Sequence, residues 1–176
     1  NGINIFKSKK CDFVIAVGGG SVMDVAKAIN SFAANKGEPE DYLQKGKQIE
    51  KKGKILVAVP TTAGSGSEAT KFAVIYINKT KYSLDNELIL PDYAIVDPQF
   101  IMNLPKSITA SAGMDALSQG VESYWSVNST NESKKYAKEA IRIAVKNLAN
   151  AVNGDKQSRI AMARAAHLAG KAINIT

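Results

Sequence analysis

The sequence has one cysteine, one histidine and no apolar run long enough to cross a bilayer. Cys11 has no partner within the chain, so no internal disulfide can form. The longest apolar stretches, residues 13–17 and 55–59, are strand-sized, whereas a membrane helix needs roughly 18 apolar residues. A membrane role is therefore not expected. Residues 1–10 lack the apolar core and small-residue cleavage site of a signal peptide. With the lone cysteine, this points to a reducing, cytoplasmic setting. The chain opens on Asn1 rather than Met and reads as an internal piece of a longer protein. Internal repeats and low-complexity tracts are also absent.

The balance of 23 Lys and Arg against 16 Asp and Glu leaves a net charge of +7. Its lysines cluster at Lys7, Lys9 and Lys10 and again at Lys45, Lys47, Lys51, Lys52 and Lys54. No aromatics are interleaved there to stack bases, so the clusters read as solvated loop charge and no nucleic-acid partner is expected. Hydrophobic residues at 45% and charged residues at 22% are ordinary for a globular domain, which excludes a disordered or fibrous class.

The first half alternates strand and helix signals. Residues 13–17 form a short apolar, β-branched run, followed by a glycine turn and a helical stripe of Val22, Val25, Ala26, Ile29, Phe32 and Ala33 within residues 22–35. A lysine-rich connection leads to a second buried strand at 55–59, then a small-residue loop, a strand at 72–77 with turn residues 78–81, and a short strand at 94–96. Beyond Pro105 the strand signals vanish. Helices are expected at 107–126, 130–152 and 155–173, with starts marked by Ser129-Thr130-Asn131-Glu132 and Gly154-Asp155. The predicted fold is an α/β part, residues 1–105, holding an incomplete dinucleotide-binding parallel sheet, then an all-helical part, residues 106–176.

Three groups of residues can carry chemistry. Gly18-Gly19-Gly20-Ser21 lies between a strand and a helix, where backbone N–H groups and the positive helix end can hold a phosphate. Ser21 and Asp24 also have the spacing of a capping box, so helix initiation is a second reading of that pair. The glycine-lysine-serine/threonine ending of an ATP-binding P-loop is missing. Pro60-Thr61-Thr62-Ala63-Gly64-Ser65-Gly66-Ser67-Glu68 presents hydroxyls and amides at the carboxyl end of the second strand, where α/β sheets bind ligands. Residues 64–69 fit the loose G-x-G-x-x-A form, although no long helix follows. Two such bends at successive strand ends suit one extended anionic ligand, a dinucleotide. The third group, Asp115, Gln119 and Glu122, shares one helical face whose oxygens can meet a cation or simply face solvent.

In this order these stretches, with Asp97-Pro98 and Ala112-Gly113-Met114-Asp115-Ala116, resemble the iron-containing alcohol dehydrogenase family over nearly the whole chain. The resemblance implies a dehydroquinate-synthase-like fold: a dinucleotide-binding domain followed by a helical metal-binding domain. It implies NAD or NADP as cofactor, a divalent metal (iron or zinc), a small alcohol or aldehyde substrate and a homo-oligomer, a dimer. Gly19, Gly20, Ser21 and Asp24 then belong to the pyrophosphate bend, and Thr61, Thr62, Ser65 and Thr70 contact phosphates, ribose or the nicotinamide side. Asp115 matches the family's first metal ligand. Four residues on, the family carries a histidine and this chain has Gln119, a weaker and harder oxygen ligand.

His167 matches no ligand position and reads as a partly buried or capping imidazole. The remaining ligands are expected beyond Thr176, and the family's first strand and helix before Asn1, so the piece alone is not expected to be catalytic. The run 122–130 with Gln119 resembles the phosphonoacetaldehyde reductase branch. Polyol-phosphate dehydrogenases and dehydroquinate-synthase-like lyases use the same scaffold, and a non-catalytic nucleotide-binding module is a further alternative.

Overall fold

A computed structural model describes residues 1–176. The β-branched runs form the core strands: β1 (Phe13–Gly18) pairs in parallel with β2 (Ile55–Pro60), and β2 with the two-residue β5 (Tyr93–Ala94), giving the order β1-β2-β5. Register runs Phe13 against Ile55 through Gly18 against Pro60, so both glycine-containing bends leave the sheet at the same level. β3 (Phe72–Ile77) and β4 (Thr80–Asp85) make a separate antiparallel hairpin, turned by Asn78 and Lys79, both with positive φ.

The helix after β1, α2 (Gly20–Ala34), begins two residues earlier than its apolar stripe suggests and buries Met23, Ala28 and Phe32. Its buried face also includes Lys27, Asn30 and Ser31, polar positions that an apolar pattern does not reveal. Phe32 stacks on Tyr42 with centroids 5.0 Å apart, adding about 1 kcal/mol beyond burial. Tyr42 belongs to α3 (Pro39–Leu43), a single turn inside the lysine-rich connection that the sequence pattern missed. Also missed was α1 (Gly2–Ser8), which packs on α2. Both are short and carry no apolar stripe long enough to detect.

From Pro105 onward the chain is helical: α4 (Lys106–Trp125), α5 (Asn131–Val152) and α6 (Lys156–Ile173). These starts lie within one residue of expectation because the signals are local, a proline before α4 and side-chain caps at α5 and α6. Thr130 and Ser133 form a capping box, and the Asp155 carboxylate accepts from the Ser158 N–H at 2.7 Å. Ala116, Ala137, Ala140, Ala144, Ala165 and Ala169 are fully or nearly fully buried, so small side chains let the three helices approach closely. Arg159 is buried where these helices meet the preceding segment. It donates to the carbonyls of Ala151, Ile101, Met102 and Leu104, tying α6 to the 3-10 turn Pro98–Ile101 and to the entry of α4. No helix is long and apolar enough to cross a membrane.

Candidate functional site

β1 ends on Gly18, and the helix that follows takes Gly19 as its N-cap with no side-chain cap hydrogen bond. The N–H groups of Gly20 and Ser21, at the positive end of a 15-residue helix, therefore lack an acceptor within the chain. Ser21 and Asp24 do not form the capping box: Ser21 is already inside the helix. Asp24 turns away from the helix start, Oδ1 accepting from the Ser67 hydroxyl at 2.7 Å and Oδ2 from the Val74 N–H at 3.0 Å.

The second bend meets the first. Thr61 N–H donates to the Gly18 carbonyl at 2.9 Å. A methyl group placed on Gly19 would stand 3.5 Å from the Thr62 side chain, and one on Gly20 only 2.8 Å from that of Ser65. Gly20, Ser21, Asp24, Thr62, Gly64 and Ser65 line one cavity of about 380 Å³ with Asp115 and the first turns of α4. An adjoining cavity of about 320 Å³ shares Asp24, Ser65 and Asp115 and adds Ser67, Thr70, Lys81 and Gln119. The two cavities adjoin at Asp24, Ser65 and Asp115, and α4 walls both. Gly19 and Thr61 stand at the strand ends and line neither cavity, and Glu122 is exposed outside both.

A buried ammonium, invisible to pattern reading, holds this arrangement. Lys27 is 1% exposed and donates to the Thr70 and Phe72 carbonyls, each at 2.7 Å, and to Thr70 Oγ1 at 3.2 Å. Burial lowers its pKa from 10.5 to about 8, opposed by the nearby charges of Asp24 and Glu68. Thr70 itself is buried, its hydroxyl taken up by Lys27 and the Ser67 carbonyl. Asp24 and Lys27, three residues apart on one face of α2, thus grip the second bend and the hairpin behind it. Lys81, exposed on β4, lines the second cavity and forms no ion pair; the turn chemistry around it masked it.

The α4 face offers two oxygen donors. Gln119 Oε1 is buried with no hydrogen-bond partner, and Gln119 lines the same cavity as Asp115, which stands one helical turn before it. Three or more His, Cys, Asp or Glu side chains come together nowhere to hold a metal, and His167 lies elsewhere, its Nδ1 3.2 Å from Glu68 Oε1. The orphaned amide oxygen and the carboxylate fit part of a hard-cation site, to be completed by donors from outside these residues.

Comparison with known proteins decides the family. The family profile for iron-containing alcohol dehydrogenase matches residues 1–98, and the profile for the C-terminal part of the Fe-containing alcohol dehydrogenase family matches residues 109–176. The chain belongs to the iron-containing alcohol dehydrogenase family. It is 44% identical to a long-chain-alcohol dehydrogenase of Geobacillus thermodenitrificans over 93% of its length, and 42% identical to an NAD-dependent methanol dehydrogenase of Bacillus methanolicus over 98%. It spans less than half of these relatives, 42% and 46% of their lengths. A sulfoacetaldehyde reductase from Bifidobacterium kashiwanohense, solved in complex with NAD+, superposes with a TM-score of 0.94 at 37% identity, covering 98% of this chain and 47% of that one. A phosphonoacetaldehyde reductase of Streptomyces viridochromogenes is 36% identical over 93% of this chain and 44% of its own length. In this family the parallel sheet followed by helices is the expected architecture, and the solved relatives share it.

Proposed function

We propose that the protein containing this chain transfers a hydride between NAD or NADP and a small alcohol or aldehyde. The observation that carries the reading is the shared cavity: Gly20 and Ser21 of the first bend and Thr62, Gly64 and Ser65 of the second line it together with Asp115, and it adjoins the cavity lined by Asp115 and Gln119. In this reading Gly20 and Ser21 supply backbone donors to the pyrophosphate, Gly19 shapes their turn as the helix N-cap, and Thr62 and Ser65 add contacts from the facing bend. Thr61 and Thr70 act from behind, Thr61 through its backbone bond to Gly18 and Thr70 through Lys27. Asp24 organises the bend through Ser67 and Val74. Asp115 and Gln119 hold one side of a divalent metal, iron or zinc. When bound, that metal supplies Lewis acidity to the substrate oxygen. The same reading divides the chain into a cofactor domain, residues 1–105, and the start of a metal-binding domain, residues 106–176, of a cytoplasmic, dimeric enzyme.

A narrower substrate, an aldehyde bearing a phosphonate or sulfonate, is supported by the two aldehyde reductases among the relatives and by the unpaired Lys81 ammonium on the cavity wall. The experiment uses the full-length protein: NADH titration by fluorescence, then turnover on simple alcohols, phosphonoacetaldehyde and polyol phosphates with iron, zinc or manganese added. Metal-dependent turnover of an alcohol or aldehyde is expected. NADH binding with no turnover under any metal would instead leave a non-catalytic nucleotide-binding protein, and turnover of polyol phosphates alone would move the enzyme to that branch.

A further inference from the structure

We propose that His167, acting through Glu68, is a positioning residue by which the helical part holds the second bend in its cofactor-binding shape. The inference rests on the reading of residues 61–70 as a cofactor loop. Glu68 sits in the 3-10 turn Ser67–Ala69, directly between Ser65 and Thr70, and its side chain is 2% exposed. A carboxylate so deeply buried needs donors. Its one hydrogen-bond partner is His167 Nδ1 on α6, at 3.2 Å, and because a carboxylate only accepts, the ring nitrogen is the donor. The Lys27 ammonium approaches Glu68 from the α2 side without a direct hydrogen bond, its own donors being spent on Thr70 and Phe72.

His167 does not act alone on that face of α6. Residues 167, 170 and 174 follow the i, i+3, i+7 spacing of one helical stripe, and each meets the bend. A methyl group on Gly170 would lie 2.5 Å from the Gly66 carbonyl oxygen, so the two backbones are in direct contact. Asn174 Oδ1 accepts from the Lys71 N–H at 2.7 Å. Gly170 and Asn174 fix where the bend's backbone lies, whereas His167 supplies a hydrogen-bond donor to a buried carboxylate inside the turn that orients Ser65 and Thr70. Losing that donor forces Glu68 to seek water or Lys27, and either movement carries the bend away from the glycine bend opposite. His167 touches neither bend's cofactor-facing side, which makes its role a positioning one.

The test uses the full-length protein with His167→Leu, His167→Gln and Glu68→Gln, reading NADH dissociation constant, kcat at saturating cofactor and Tm. His167→Leu is expected to weaken NADH binding roughly five- to tenfold, the scale of an unmet buried acceptor, with kcat changed by less than about twofold. His167→Gln keeps an N–H donor and is expected to recover most of the affinity, and Glu68→Gln with His167→Leu together to be no worse than His167→Leu alone. Wild-type affinity in His167→Leu, equal impairment in the Leu and Gln variants, or additive effects would overturn the proposal. The two His167 variants decide it even if Glu68→Gln does not fold. The same measurements are made with NADPH if the wild-type protein binds that cofactor instead; failure of the wild-type protein to bind either NADH or NADPH is a separate result, which removes the cofactor-loop reading and this inference with it.

Discussion

The two bends that line the shared cavity are built in opposite ways. Gly18–Gly20 is made by its neighbours in sequence: a strand ends, a helix begins uncapped, and the N–H groups of Gly20 and Ser21 are left free. Residues 61–70 are held by elements distant in the chain: Asp24 and Lys27 from α2, Ala112 from α4 through Gly64, and His167, Gly170 and Asn174 from α6. The first bend is thus a local feature, and the second is a joint at which the α/β part and the helices meet. A substitution in the second should register as lost stability, whereas one in the first should register mainly in ligand binding.

Gly66→Ala should break the joint with the largest effect. Gly66 has φ of +60, and its new methyl group would lie 2.6 Å from Gly170 Cα. Left-handed strain and overpacking together are expected to cost about 2–4 kcal/mol, seen as a clear fall in Tm of the full-length protein. Gly154→Ala, at φ of +97 but with nothing within 4 Å, isolates the backbone share of that cost. Gly19→Ala, at φ of -75, meets the Thr62 side chain at an ordinary van der Waals distance of 3.5 Å and is expected to leave Tm nearly unchanged.

Lys27→Met comes next. It strips donors from the Thr70 and Phe72 carbonyls, at an expected cost of about 1–2 kcal/mol at neutral pH. The effect carries a pH signature. Because the folded pKa of about 8 lies below the ordinary 10.5, the unfolded chain binds the proton more tightly and the buried charge is a full burden below pH 8. That burden is lifted as pH rises from about 8 towards 10.5, so the wild-type protein gains stability relative to Lys27→Met across that window. Denaturant unfolding of both proteins at pH 7 and pH 10 checks it; a difference that narrows with pH would contradict the burial of a charged Lys27.

This asymmetry also explains what could be read from the sequence. β1, β2, β3 and the three long helices carry their own periodicity, two of these helices their own caps, and Gly18-Gly19-Gly20-Ser21 marks a strand-to-helix bend by composition. The second bend was legible as a hydroxyl-rich loop at a strand end, but its anchors were not, since nothing local marks Lys27 as buried or pairs Glu68 with a histidine 99 residues away. Asp24 misled for the same reason: serine-x-x-acid spacing is a local signal, and a distant partner, Ser67, claimed the carboxylate. Asp115 and Gln119 share a face by helical spacing alone, but only the fold shows that the Gln119 oxygen is buried and unpartnered and that both residues line one cavity.

Hydrogen exchange of the full-length protein, titrated with NADH, tests the shared grip most directly. Amides at 18–21 and 61–67 are predicted to gain protection together, over one and the same NADH concentration range. Protection confined to one bend, or appearing at two separate concentrations, would contradict a single dinucleotide held between them.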